Sequence, residues 1–140
     1  MTSYDVTAVS GARPESVYRL LTVGATWPEW SPIDAVRIEG GGDAGSPQGV
    51  GATRVFRTGR NESHEEIVEL VPDRRMVYVM RSGAFRTYRA TVDLAPVGQG
   101  TRIHWYGSFR APRGTGWLWR LYLTWYMRRM VNGLAAYPVT

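Results

Sequence analysis

Six strand-like runs follow one another between residues 35 and 110, and this succession constrains the fold more than any other feature. The runs cover residues 35–39, 52–58, 62–71, 76–82, 86–94 and 101–110. Gly, Pro, Asn and Asp residues mark the gaps, each of which is short enough for a hairpin connection. The sequence therefore predicts an antiparallel meander, with residues 40–49 as one flexible loop.

A strand and two short helical segments precede the meander. Residues 3–10 alternate between apolar and polar side chains, which predicts a strand. Pro14 occupies the first turn of a predicted helix that Gly24 ends. The Trp-Pro-Glu-Trp segment at residues 27–30 predicts a tight turn or a second small helix. We interpret its two tryptophans mainly as a plug at one end of the sheet; a gate at a pocket mouth is the alternative.

The last part of the chain predicts one long helix. Residues 114–137 contain no internal proline. At 100° per residue, the predicted inward face consists of Trp119, Tyr122, Leu123, Tyr126, Met130, Leu134 and Tyr137. Only the sheet is large enough to cover this face. We therefore predict a single α+β domain over residues 1–140, in which a curved seven-stranded antiparallel sheet surrounds the C-terminal helix.

Composition excludes several kinds of chemistry. The chain has 17 arginines, two histidines, and neither lysine nor cysteine. The lack of cysteine excludes thiolate nucleophiles, disulfides and cysteine-based zinc or iron–sulfur sites. The lack of lysine excludes a Schiff base, and two histidines cannot form a three-histidine metal site. We expect no metal and no cofactor.

The distribution of charge and hydropathy predicts a soluble, cytoplasmic protein. The N-terminus shows no basic and apolar leader, and Arg120 interrupts the longest weakly charged run, residues 114–127. The net charge is +5, but the arginines are scattered along the chain. We therefore expect neither a nucleic-acid partner nor, in the first instance, a membrane partner.

The order of elements resembles the helix-grip fold of the START-like (SRPBCC) superfamily, and within it the polyketide cyclase/dehydrase-type ligand-binding family. The stretches that carry the resemblance are residues 12–18, 27–30, 50–54, 66–72 and 100–105. They span nearly the whole chain in the same order as in that family. The resemblance implies a hydrophobic cavity between the sheet and the C-terminal helix. Members of the superfamily include lipid carriers, hormone receptors and aromatase/cyclases.

Alternation along the predicted strands selects the side chains that would line such a cavity. The predicted ligand-binding residues are Arg54, Phe56, His64, Glu66, Tyr78, Met80, Tyr88, Trp105, Tyr122 and Tyr126. Tyr78 and Tyr88 are either aromatic residues of the core or site residues whose hydroxyl groups face the ligand. No catalytic residue or acid–base dyad is recognisable.

The hairpin over residues 52–71 supplies the polar part of the predicted site. A turn centred on Arg60 sets Arg54 opposite Glu66 and Phe56 opposite His64. An inward Arg54–Glu66 pair is either an internal salt bridge or an anchor for a carboxylate, phenol or ketone. A register shifted by one residue would instead place both outside. His64 is either a hydrogen-bonded rim residue or a general base.

These observations favour binding or transport of a small, largely hydrophobic ligand, lipid-like or polyketide-like. One alternative is a polyketide aromatase/cyclase or dehydratase, and whether a reaction is catalysed stays open. A second alternative is a membrane-surface or protein-association module, because Trp117, Leu121 and Trp125 lie off the inward face near arginines. The sequence does not identify the ligand.

A weak homodimer is also expected. The outward positions of the central strands carry four apolar residues, Ile67, Val77, Val79 and Tyr106. Apolar residues on a solvent-facing side of a sheet favour its cover by another chain.

Overall fold

The order of elements in the structure agrees with the order predicted from the sequence. The computed structural model describes residues 1–40, 42–82 and 85–138. The helices are α1 (Pro14–Thr22), α2 (Trp27–Trp30) and α3 (Gly116–Ala136), with a 3₁₀ turn at Gly24–Thr26. The strands are β1 (Thr2–Ser10), β2 (Ala35–Glu39), β3 (Thr53–Thr58), β4 (Asn61–Val71), β5 (Arg75–Ser82), β6 (Arg86–Val97) and β7 (Gly100–Arg110). The predicted ends are within three residues of those observed.

The seven strands form one antiparallel sheet in the order β1-β7-β6-β5-β4-β3-β2. Strands β2 to β7 are the predicted meander, and β1 pairs with β7, so that Thr2 lies opposite Phe109. The start of β1, the β3–β4 turn, the end of β7 and the start of α3 lie at one end of the sheet, called the upper end here. The β4–β5 turn and the connection from β1 to α1 lie at the opposite, lower end.

The turn between β3 and β4 has two residues, and this corrects the predicted register. Thr58 pairs with Asn61, which leaves only Gly59 and Arg60 in the turn. Gly59 has φ +61°, a conformation that glycine adopts readily and that the first position of a type II′ hairpin turn requires. The prediction counted Asn61 in the turn, and every pair in the hairpin was therefore wrong by one residue.

A β-bulge in β4 is the second feature that strand alternation missed. Ile67 lies opposite Tyr78 and Glu69 lies opposite Val77, so that Val68 has no partner in the ladder. A bulge changes the side to which the following residues point. Beyond the bulge, the side chain of Leu70 packs against the core.

Helix α3 is rotated relative to the predicted inward face. Its buried residues are Leu123, Met127, Met130, Val131 and Leu134, and Tyr122 is about half exposed. The helix packs mainly along the edge strand β1, so the centre of the buried arc lies between Leu123 and Met127, about 60° from the predicted centre. Of the seven residues predicted to face inward, three are buried and three more pack partly buried against the core. The prediction is wrong for Tyr122, which the rotation of the helix leaves about half exposed.

Two close approaches fix the helices against one another. A Cβ atom on Gly133 would lie 1.9 Å from the carbonyl oxygen of Trp30, so α3 crosses the α2 backbone where only glycine fits. Trp27 is fully buried and donates from Nε1 to the Leu21 carbonyl oxygen at 3.0 Å. Burial of Trp27 and Trp30 agrees with their interpretation as a plug. Within the described residues, no helix has both the length and the apolar composition needed to cross a bilayer.

Candidate ligand-binding site

Two charged residues of the β3–β4 hairpin point into the molecule. Arg54 lies directly opposite Glu65, and the two side chains are 0% and 5% exposed. Thr53 lies opposite Glu66 and Val55 opposite His64. The predicted Arg54–Glu66 pair is therefore wrong, and the inward carboxyl group is that of Glu65.

The protein itself holds most of the Arg54 guanidinium. Its Nη1 donates to the carbonyl oxygen of Leu21 at 2.7 Å, and Nη2 lies 3.7 Å from the sulfur of Met76. The guanidinium carbon lies 4.9 Å from the Trp27 ring centroid and 5.1 Å from that of Phe56. Contact with the faces of aromatic rings stabilises a desolvated guanidinium. Arg54 therefore connects α1, β3 and the core, which favours the structural interpretation of this residue.

The carboxyl group of Glu65 has fewer stabilising contacts than the guanidinium of Arg54. Its Oε1 atom is buried and has no hydrogen-bond partner, as is also true of Nε of Arg54. Burial raises the pKa of the Glu65 carboxyl to about 7, although the positive charge of Arg54 acts in the opposite direction. Near neutral pH this group therefore exchanges a proton within an apolar interior.

Three buried tyrosines lie close enough to Glu65 to feel its charge. The hydroxyls of Tyr4 and Tyr88 are 2.5 Å apart, and Nε1 of Trp105 donates to the hydroxyl of Tyr78 at 3.1 Å. Burial raises the pKa of each tyrosine well above its usual value, and the charge of Glu65 adds to the effect. All three hydroxyls are therefore neutral and available as donors or acceptors near pH 7.

Gly107 makes room for this cluster. A Cβ atom at position 107 would lie 2.7 Å from the Tyr4 hydroxyl oxygen and 2.8 Å from the ring carbon that carries it. Gly107 and Tyr4 are directly paired in the β1–β7 ladder. The absence of a side chain on β7 at this point lets the Tyr4 ring lie flat over the sheet and reach Tyr88.

A groove of about 520 Å³ opens at the upper end between the sheet and α3. Its lining residues are Phe56, Thr58, Asn61, Glu62, Ser63, Met80, Phe85, Trp119 and Tyr122. Phe85 contacts Trp119 edge-to-face, with ring centroids 4.9 Å apart, and Phe109 at 4.6 Å. Four of the nine lining residues are thus aromatic and a fifth is Met80, while the other four carry hydroxyl, amide or carboxylate groups.

The groove leads towards the buried charges. Phe56 lies opposite Ser63 in the β3–β4 ladder, and the next inward pair along the strands is Arg54 and Glu65. Two residues along a strand span about 7 Å. Met80, which also lines the groove, lies opposite Glu65 on the other side of β4. Glu65 therefore lies just beyond the inner wall of the groove.

The structure brings together eight of the ten predicted site residues. Phe56, Met80 and Tyr122 line the groove, and Tyr126 is half-buried beside Tyr122, with ring centroids 6.3 Å apart. The other four are buried further in: Arg54, Tyr78, Tyr88 and Trp105. The inward orientation predicted for these residues is confirmed, except that Tyr122 is 49% exposed at the mouth.

His64 and Glu66 lie on the outer face of the sheet, contrary to prediction. The Nδ1 atom of His64 lies 2.6 Å from the hydroxyl of Ser82, and Glu66 forms an ion pair with Arg81 at 2.8 Å. The two-residue turn is the physical reason, since it moves both residues to the opposite side of the strand. Sequence reasoning missed Glu65 for the same reason; the Gly-X turn signal at Gly59 would have found it.

The outer face does not supply the apolar patch on which the expected homodimer was based. Ile67 is 0% and Val77 2% exposed, so neither is available to a partner. Tyr106 donates to a carboxylate oxygen of Asp93 at 2.8 Å. The dimer stays a prediction, without this surface as its basis. Among the described residues, no three metal-ligating side chains cluster into a candidate metal site.

Comparison with known proteins gives a family match over nearly the whole chain. The family model described as polyketide cyclase/dehydrase and lipid transport matches residues 1–137. No curated protein sequence matches the chain.

Solved structures with the same fold are numerous but distant in sequence. A protein from Nitrosospira multiformis is 22% identical with a TM-score of 0.77, and the alignment covers 96% of this chain and 94% of that one. A START superfamily protein from Mycobacterium smegmatis is 11% identical with a TM-score of 0.79, covering 96% and 95%. The Aha1 dimer from Colwellia psychrerythraea is 18% identical with a TM-score of 0.69, covering 97% and 98%. These likenesses establish the helix-grip fold.

Proposed function

Because the chain belongs to the polyketide cyclase/dehydrase and lipid transport family, we propose that it binds a small, largely hydrophobic molecule in the groove between the sheet and α3. The observation that carries the proposal is the groove itself. Its volume of about 520 Å³ lies within the range of about 300–1,000 Å³ that is usual for small-molecule sites. Its aromatic walls suit rings or acyl chains.

The polar end of the ligand belongs near Glu65 in this proposal, not on Arg54. The guanidinium of Arg54 already donates to the Leu21 carbonyl oxygen and lies against two aromatic rings, whereas Oε1 of Glu65 has no hydrogen-bond partner. A carboxyl group with a pKa of about 7 repels an anionic ligand when ionised, and when protonated it donates to a carbonyl. The substrate class is therefore a neutral molecule with a hydroxyl or carbonyl group at one end.

A second candidate function is enzymatic, of the aromatase/cyclase or dehydratase type. The observation that favours it is the same carboxyl group, since a general acid or base works best when its pKa is near the operating pH. Neutral tyrosine hydroxyls nearby would orient a polyketide-like chain. Turnover that Glu65→Gln abolishes, while binding of the same compound is retained, would favour this function over simple carriage.

Titration with two fluorescent probes tests the binding site. The neutral probe is N-phenyl-1-naphthylamine, and the anionic probe is 8-anilinonaphthalene-1-sulfonate. We expect the neutral probe to bind more tightly. Thr58→Trp places an indole in the groove and should weaken this binding at least about tenfold, because the filled volume is no longer available.

Thr7→Trp is the matched control. Thr7 lies on an exposed outward position of β1, where an indole does not reach the groove. Equal affinities for Thr58→Trp and the control would show that the groove is not the site. Native mass spectrometry of the purified protein, searching for a co-purified neutral compound, would identify the ligand class directly.

A further inference from the structure

The outward side of α3 carries an unusual cluster of large apolar side chains. Five of them lie within nine residues and are 49–68% exposed: Trp117, Leu118, Leu121, Tyr122 and Trp125. At 100° per residue they occupy an arc of about 140°, opposite the arc that is buried against β1. We call this surface the α3 face. Exposed apolar patches of this kind mark interaction sites.

The charge of the chain is concentrated around the same helix. Residues 94–140 contain six arginines and neither aspartate nor glutamate, whereas residues 1–93 contain 11 arginines and 12 acidic residues. Three of the six arginines, Arg120, Arg128 and Arg129, are exposed on α3. The guanidinium of Arg129 lies 5.2 Å from the centroid of the Trp125 ring. The partner of this surface is therefore anionic as well as apolar.

Two shallow grooves beside the α3 face combine both properties. They lie between α3 and the start of β1, with volumes of about 480 and 560 Å³, and Arg120 and Leu121 line both. Arg128 and Trp125 line the first, and Trp117 lines the second. Each groove thus places a guanidinium next to apolar surface, which is the arrangement that a phosphate attached to acyl chains requires. Asp5 also lines the first groove, and its carboxylate is hydrogen-bonded to the His104 ring at 2.9 Å.

We propose that the α3 face docks on an anionic phospholipid bilayer. Tryptophan, tyrosine and leucine insert at the boundary between headgroups and acyl chains, and the arginines bind lipid phosphates. A second copy of the chain fits this surface poorly. A two-fold contact would bring Arg120, Arg128 and Arg129 against the same residues of the partner, and α3 carries no acidic residue to neutralise them.

Docking in this orientation places the mouth of the ligand groove at the bilayer. Tyr122 belongs to the α3 face and also lines the groove, and Trp119 of the same helix lies beside it. The docking proposal does not depend on the proposed function. Vesicle binding is measured without a probe ligand and probe binding without vesicles, so either proposal can fail alone.

Vesicle cosedimentation tests the proposal. The wild-type protein should bind vesicles of phosphatidylcholine with about 30% phosphatidylglycerol and bind pure phosphatidylcholine much more weakly. Arg128→Gln combined with Arg129→Gln should weaken this binding by about thirtyfold, five- to sixfold for each cation. Trp117→Gln combined with Trp125→Gln should weaken it at least about tenfold and should reduce quenching of tryptophan fluorescence by lipids with brominated chains.

The matched control is Arg13→Gln combined with Arg74→Gln, two exposed arginines at the lower end. This variant should bind like wild type, and thermal melts should show that all variants are folded. Lack of wild-type binding to the anionic vesicles overturns the proposal. Binding that the tryptophan variant retains, or a dimer in light scattering that this variant dissociates, also overturns it, since the α3 face then serves another partner.

Discussion

At the scale of single residues, Arg54 and Glu65 form the most unusual feature of this protein. They are paired across a hairpin and buried, yet one polar atom of each lacks a hydrogen bond. Buried charges persist only when other interactions compensate for the loss of water. For Arg54 these are a carbonyl oxygen and two rings; for Glu65 the compensation is incomplete, and protonation near neutral pH supplies the rest.

Glu65→Gln should make the protein more stable at pH 8 but not at pH 4. The folded-state pKa of about 7 exceeds the usual value of 4.5, so the folded protein retains a proton that the unfolded chain loses. The stabilisation that protonated Glu65 contributes is therefore complete below about pH 4.5 and is lost as the pH rises through about 7. The difference in unfolding free energy between variant and wild type should grow by up to about 3 kcal/mol across this interval.

Urea denaturation of both proteins at half-unit pH intervals measures this difference. Other titrating groups contribute equally to both proteins and cancel. A difference that is independent of pH would mean that Glu65 ionises as an exposed carboxyl does.

Arg54→Met should destabilise the protein by about 3–5 kcal/mol, because it leaves Glu65 without its only charged neighbour on the facing strand and the Leu21 carbonyl without a donor. Arg57→Met on the same strand is the control, since Arg57 is exposed. Chemical denaturation at pH 7 measures both. A loss below about 1 kcal/mol for Arg54→Met would refute a structural role for this arginine.

At the scale of elements, the sequence predicted which strands and helices exist and their order better than it predicted which of their side chains face the core. When the gap between two strands is short and rich in glycine and proline, the second strand returns antiparallel beside the first. The meander was therefore predictable. The pairing register of a hairpin changes when its turn gains or loses one residue. The turn at Gly59 has one residue fewer than predicted, so the predicted pairs were shifted by one. The bulge at Val68 has no sequence signal of its own.

Helix α3 shows why the candidate site was only partly predictable. Apolar side chains surround its first half, so hydrophobicity alone does not define the side that faces the core. The packing of α3 along β1 decides it, and that contact joins the two ends of the chain. Of the aromatic residues that a helical wheel places inside, Tyr122 therefore stands half exposed at the groove mouth, and Trp119 lines the groove beside it.

Met127→Ala should cost about 2–5 kcal/mol, because Met127 is buried at the centre of the contact between α3 and the core. Tyr122→Ala removes more atoms from the same helix but should cost less than about 1 kcal/mol, since half of its surface is already in water. Thermal and urea unfolding compare the two. The reverse order of losses would return α3 to the orientation predicted from the sequence.

Gly133→Ala should destabilise the protein, although alanine normally favours helices. The added methyl group would lie 1.9 Å from the Trp30 carbonyl oxygen, and moving two backbones apart costs about 1–3 kcal/mol. This exceeds the gain in helix propensity of up to about 1 kcal/mol. Asn132→Ala, at the exposed neighbouring position, should be neutral or slightly stabilising. A more stable Gly133→Ala variant would show that α2 and α3 are further apart.

At the scale of the whole molecule, the first strand connects the sheet to the helix that it surrounds. Strand β1 pairs with β7 along its whole length, and α3 packs along β1. It also contributes Tyr4 and Val6 to the core. The edge of the sheet, the aromatic cluster near Glu65 and the position of the α3 face therefore all depend on nine residues, Thr2–Ser10.

Deletion of residues 1–10 should abolish cooperative folding, since α3 then lacks the surface that buries Met127 and Leu134. Deletion of Met1 alone, which is 82% exposed, is the control and should change little. Circular dichroism during heating measures both. A single sharp transition in the longer deletion would show that α3 is held by the remaining strands.

The pairing of β1 with β7 also determines when this protein can fold during its synthesis. Ser10 leaves the ribosome about ninety residues before its partner Thr101, which at about 5–20 residues per second is a delay of about 5–20 s. Throughout that time β1 is an unpaired strand with one apolar side, open to pairing with another nascent chain. The interval ends only when the last strand, β7, has been translated.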